Sequence, residues 1–173
     1  MTSVEETNQS QANILCKSCG LCCTGHLFIW SKLKASELDS AESLGLNVFR
    51  SVPSQRGFSQ PCPLWQGVCT IYTSPHYPQF CRTYKCKLLK QLLDETTSLP
   101  DALAVIGQAK ASIHELEMNL PVSPNPNFRE RLVAQLEENS DEGFRLKARE
   151  LLSLYENVFG VKDLFDESFE DEK

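Results

Sequence analysis

No run in this 173-residue chain approaches the roughly 20 apolar residues that a membrane-spanning helix requires, so a membrane protein is not expected. The first dozen residues, Met1 to Ala12, are polar and acidic and lack the apolar centre of a secretory leader, which makes the cytoplasm the expected compartment. Histidine is scarce: His26, His76 and His114 stand without an accompanying motif, and Cys-His nucleophilic catalysis has no support. No paired carboxylates stand out as an acid and base, so no catalytic residue is assigned. Cysteine is missing altogether after Cys86. Any thiol chemistry therefore lies before residue 90.

What the first half holds is eight cysteines, four of them in Cys16-Lys17-Ser18-Cys19-Gly20-Leu21-Cys22-Cys23 and the others at Cys62, Cys69, Cys81 and Cys86. Packing does not ask for four small hydrophobes within eight residues. With 41% apolar and 23% charged residues, the chain can build one ordinary globular core, so cross-links are not needed to fold it. In a reducing compartment eight thiols point to metal or redox chemistry rather than to a disulfide framework. A vicinal Cys22-Cys23 bridge would be strained, because adjacent α-carbons are closer than the usual disulfide range. One member of that pair is thus expected to serve a different centre, to remain a free redox thiol, or simply to be buried.

Charge is divided along the chain. Residues 13 to 90 carry nine Lys or Arg against three Asp or Glu, whereas residues 91 to 173 carry eight against eighteen. Arg82, Lys85, Lys87 and Lys90 could meet an anionic substrate, but anionic thiolates also need cations beside them, and that second reading is preferred. No nucleic-acid motif accompanies the charge, so nucleic acid is not an expected partner.

In chain order, residues 1 to 12 read as a disordered tail and residues 13 to 90 as a cysteine-cluster metal-binding region. Gly20 and Gly25 suit left-handed positions in a thiolate loop. His26 to Trp30 reads as a strand, Ser36 as the cap of a short helix closed by Gly45, and residues 50 to 61 as an irregular connection. Gln66-Gly67 suggests a two-residue hairpin turn that pairs Trp65 with Val68 and Leu64 with Cys69, placing Cys62 and Cys69 on one face and on one metal centre. Cys81 and Cys86 would diverge within one helix, so Cys81 is placed before a helix and Cys86 in its first turn, where the helix start favours a thiolate.

Residues 91 to 160 read as a helical region packed on the first. Ser98 and Asp101 form a capping box ahead of a stripe from Leu99 to Leu120, a second helix starts near Phe128, and a third runs from a Ser140 cap to Gly160. Residues 161 to 173 form a short acidic tail. The expected fold class is mainly α, with a small irregular cysteine-rich region and a short β-hairpin. The helices offer a surface for a protein partner.

Two cofactors suit eight thiols. Zinc sites combine Cys-x2-Cys knuckles into four-cysteine tetrahedra, and eight cysteines could make two. Iron-sulfur clusters also take four, and Cys16, Cys19 and Cys22 match the Cys-x2-Cys-x2-Cys run of ferredoxins, with Cys62-Pro63 as a remote cysteine before proline. This leans slightly towards iron-sulfur. The order Cys16-x2-Cys19-Gly20-x-Cys22-Cys23, Pro61-Cys62-Pro63-Leu64, Val68-Cys69-Thr70-Ile71-Tyr72 and Pro78-x2-Cys81-Arg82-x-Tyr84-x-Cys86 resembles the zinc- or iron-chelating cysteine-cluster family of bacteria, called CxxCxxCC or YkgJ-like. The resemblance covers about residues 13 to 90 and implies that all eight cysteines form the ligand pool. It is distantly similar to flagellin lysine N-methylases, which brings in methyl transfer by analogy only. Ser74-Pro75 stands where that family usually carries Arg-Pro. The functional expectation is a cysteine-ligated metal protein, iron-sulfur favoured, with a redox or group-transfer role. The alternative is a zinc-stabilised interaction module without catalysis.

Overall fold

A computed structural model describes residues 4–162 of the chain, so residues 1–3 of the expected N-terminal tail and 163–173 of the acidic one lie outside the described residues. Helix α1 spans Val4–Cys19 and overturns the tail reading for residues 4 to 12. Its polar composition hides the reason: Ala12 and Leu15, three apart on one face, are buried against the rest of the protein. Val161, assigned to the acidic tail, is likewise buried.

Among the described residues, seven helices and a small antiparallel sheet make the fold mainly α. Strand β1 covers Trp30–Lys32, so the strand expected over His26 to Trp30 begins where that stretch ends. A 3-10 turn, Ala35–Glu37, leads into α2, Leu38–Ser43. The cap there is not Ser36; Glu37 Oε2 accepts the Lys34 backbone N–H at 2.8 Å. Gly45 follows α2 at φ 94. Strands β2, Val48–Phe49, and β3, Gly57–Ser59, complete the sheet in the order β1-β3-β2, with Ser31 opposite Phe58 and Val48 opposite the same residue. The stretch read as irregular thus supplies the central strand. A side chain at Gly57 would meet the Ser31 carbonyl at 2.3 Å, so the residue that looks like a loop marker is what lets β1 approach.

Helix α3, Gln79–Thr83, and helix α4, Lys87–Leu93, are separated by an extended Tyr84. The C-terminal half follows its sequence closely. Ser98 Oγ accepts the Asp101 N–H at 3.2 Å at the head of α5, Leu99–Met118, which is half of the capping box, and the Asp101 carboxylate accepts the Ser98 hydroxyl. Asn127 caps α6, Phe128–Glu138, and Asp141, one residue beyond the expected Ser140, caps α7, Glu142–Leu154. A wide helical turn over Tyr155–Phe159 prolongs α7 until Gly160, at φ 76, ends it.

Two apolar clusters hold these elements. The larger has twenty-one buried residues and runs from Ala12, Leu15, Leu21, Leu27 and Phe28 through α4 and α5 to Tyr155 and Phe159, so it crosses the division expected near residue 90. The smaller has five, Leu33, Leu38, Ala41, Leu46 and Phe58, under the sheet. Helix α1 packs on α4 and α5, and α5 on α7. Among the described residues no helix is long and apolar enough to cross a membrane.

Candidate metal centre

Cys16 and Cys19 lie three apart on the last turns of α1, and helical rotation of about 300° over three residues keeps them on one face. The chain then turns through Gly20 and Gly25, both left-handed at φ 68 and 78 as the loop reading expects. At Gly20 a close approach adds to the backbone demand. The Trp65 indole lies so near that a β-carbon on residue 20 would meet it at 2.1 Å. Only glycine leaves room for that ring over the loop.

Trp65 also departs from its expected hairpin register. It bridges Cys69 rather than Val68, with Gln66 N donating to Val68 O at 3.1 Å and Thr70 N to Leu64 O at 3.2 Å, which makes a three-residue loop of Gln66, Gly67 and Val68. One extra loop residue moves Cys69 opposite Trp65. Cys62 and Cys69 nevertheless remain electrostatic neighbours, because the Cys62 N–H donates to the Cys23 carbonyl at 2.7 Å and Cys23 faces both thiols.

Cys86 is placed at the N-cap of α4, one position before the first turn, and its Sγ accepts the Leu89 N–H at 3.4 Å. Cys81 sits inside the short α3 rather than ahead of a helix, and Tyr77 donates its hydroxyl to the Cys81 carbonyl at 3.3 Å. All eight cysteines are free thiols. Seven of them, all but Cys62, line a cavity of about 100 Å³ shared with Trp65, Tyr72, Tyr77 and Tyr84. The aromatic wall was not read from the sequence, although Tyr72 and Tyr77 flank the cysteine motifs.

The thiols are desolvated and crowd one another. Burial, then the nearby Cys86 sulfur, pushes Cys16 up to about 11. Burial pushes Cys19 up to about 12 against the Leu21 N–H, and Cys23 up to about 12 with help from Cys62 and Cys69. Cys22 and Cys81 are raised by burial as well. Three lysines oppose this, Lys17 toward Cys69, Lys90 toward Cys86 and Lys110 toward Cys19. Lys110 comes from the acidic half, on α5, and its Nζ donates to the Ser18 carbonyl at 2.6 Å. Of the cations singled out in the sequence, Arg82, Lys85, Lys87 and Lys90, only Lys90 is among those acting on a thiol; Lys17 and Lys110 were not singled out. Among the described residues no three or more His, Cys, Asp or Glu side chains are already gathered to hold a metal ion. In donor type and number the eight thiols suit metal.

The start of α6 clamps the ligand loop through three successive residues. Asn127 Nδ2 donates to Gly25 O at 3.3 Å, Phe128 stacks edge-on against His26 with ring centres 5.0 Å apart, and Arg129 Nη1 donates to Leu27 O at 2.8 Å. Arg129 Nη2 reaches Lys162 O at 3.1 Å, and its guanidinium lies over the Tyr155 ring. None of these was expected from the sequence, although Asn127 with Glu130 three residues on is an N-cap signal.

His26, the nearest histidine to the loop, does not line the cavity; its Nδ1 meets Thr24 Oγ1. Burial holds its imidazole down to about 4, with Glu117 opposing weakly. A depressed histidine stabilises the fold fully above its unfolded value of 6.5 and loses that contribution as pH falls towards about 4. The expected loss is about 3 kcal/mol across that window, read as a falling denaturant midpoint. H26Q should flatten this slope; an unchanged slope would show that His26 is not its source.

Comparison with protein-family models, curated proteins and solved structures yields no match for this chain.

Proposed function

We propose that this is a cysteine-ligated metal protein, with iron-sulfur favoured over zinc and a redox or group-transfer role. The observation that carries the reading is the convergence of seven of eight free cysteines on one aromatic-walled cavity, with lysine charges nearby. Cys16, Cys19, Cys22, Cys23, Cys62, Cys69, Cys81 and Cys86 form the ligand pool, consistent with the cysteine-cluster resemblance of residues 13 to 90. A bound cluster would supply electron transfer or Lewis acidity. The chain's own part is to deliver thiolates, to exclude water with Trp65, Tyr72 and Tyr77, and to balance negative charge with Lys17, Lys90 and Lys110. The expected compartment is the reducing cytoplasm, where such thiols stay available.

A zinc-stabilised module is the second reading, favoured by the second apolar cluster, which is small enough to need a metal in place of core. In that reading the C-terminal helices serve a protein partner. Metal and sulfide analysis of protein purified without oxygen, with its visible spectrum, separates the two. Brown protein with iron and sulfide supports the first, and colourless protein with zinc the second. Folded, metal-free protein with all cysteines in disulfides would overturn both.

A further inference from the structure

The eight cysteines fall into two groups according to the elements that carry them. Cys16 and Cys19 share a face of α1, Cys22 follows in the loop, and Cys86 caps α4, the helix on which α1 packs. Cys19, Cys22 and Cys86 all pack against the larger apolar cluster. The other group is built around the smaller cluster, against which Cys62 and Cys81 pack. Cys23 joins it through the hydrogen bond from Cys62 N to its carbonyl, and Cys69 is turned back towards it by the bridge with Trp65.

Electrostatic proximity follows the same division. Cys22 is influenced by Cys19, Cys86, Cys23 and Cys16 and by none of Cys62, Cys69 or Cys81. Cys81 is influenced by Cys23, Cys62 and Cys69 and by none of the first group. Cys23 stands between the groups: after burial its thiol is influenced most by Cys62 and Cys69 and then by Cys19 and Cys16, and it in turn influences Cys22. Each group has the four thiols that a tetrahedral zinc or a single iron-sulfur cluster takes.

We infer that the chain builds two separate four-cysteine centres, one from Cys16, Cys19, Cys22 and Cys86 and the other from Cys23, Cys62, Cys69 and Cys81, joined by the Cys22-Cys23 peptide. This rests on the metal-binding reading above. It also reassigns Cys62-Pro63, which the ferredoxin-like spacing grouped with Cys16, Cys19 and Cys22; the residue that completes that run is Cys86. The division states which four thiols each metal takes, and each capture releases thiol protons.

Titration of the reduced, full-length chain with Co2+ in the absence of oxygen tests it, since thiolate-to-cobalt absorption reports sulfur ligation. Saturation is expected at about two equivalents, one for each tetrathiolate set. C19S and C81S should each bind half as much, C19S/C86S should bind as much as C19S, and C19S/C81S should bind none at either tetrathiolate site. On the unaltered chain, alkylation with mass spectrometry at sub-saturating metal should show protection moving in these two sets of four, which does not depend on any variant folding. Saturation at a single equivalent, or protection that mixes the sets, overturns the division and leaves metal binding standing. Absence of sulfur-ligated cobalt, iron or zinc in the unaltered chain overturns the metal-binding reading and the division with it.

Discussion

Removing metal from the loaded protein is expected to melt the sheet and its surroundings, about residues 30 to 84, while α1 and α4 to α7 persist. The contrast in core size decides this. Five buried residues support the first region and twenty-one support the second. The sheet has strands of only two or three residues, too short to be stable without a packed face or a staple. In the two-centre proposal, a metal on Cys23, Cys62, Cys69 and Cys81 would supply that staple. Hydrogen exchange should show amide protection lost across β1 to β3, α2 and α3 after chelation and kept along α5 and α7, with much of the helical circular dichroism intact. Even loss of protection in every helix would mean that the two clusters form one cooperative unit.

Replacing Arg129 should be among the most damaging changes outside the cysteines. The residue is 2% exposed, and its guanidinium holds Leu27 O at the end of the ligand loop and Lys162 O at the end of the described chain. R129M keeps much of the apolar stem but leaves both carbonyls without that donor. Hydrogen bonds to charged groups contribute about 1.5 to 3 kcal/mol each, so a loss of about 3 to 5 kcal/mol is expected in urea unfolding. The same variant should bind metal more weakly, because Leu27 lies four residues beyond Cys23 in the loop that Arg129 anchors. A stability change under about 1 kcal/mol would show that the neighbours absorb the loss.

Local signals read well where one rule acted alone. The Ser98 capping box and the apolar stripe that follows it placed α5 almost to the residue, because the helix follows its own propensity and buries one face. Where tertiary contacts competed, the reading shifted. His26, Leu27 and Phe28 look like a strand, yet Leu27 and Phe28 enter the helical core and His26 meets Phe128, which leaves only Trp30 for the sheet. The hairpin has one more loop residue than the two-residue turn expected, and Trp65 closes over Gly20, a contact that no turn rule contains. The eight cysteines stand out in the sequence by density and spacing. The elements that carry them do not, since whether α1 and α4 or the sheet region holds each thiol depends on tertiary packing.

The packing of α1 bears on the order of events during synthesis. Its buried face meets α4 and α5, so Ala12 and Leu15 have no partner surface until the chain has been made past residue 88. The clamp on Gly25 and Leu27 waits longer still, for Asn127 and Arg129. The first four cysteines therefore leave the ribosome long before anything can frame them, and contacts of such long sequence separation form late and slowly. The part of the cysteine loop held by Asn127 and Arg129 cannot be clamped until the start of α6 has been translated.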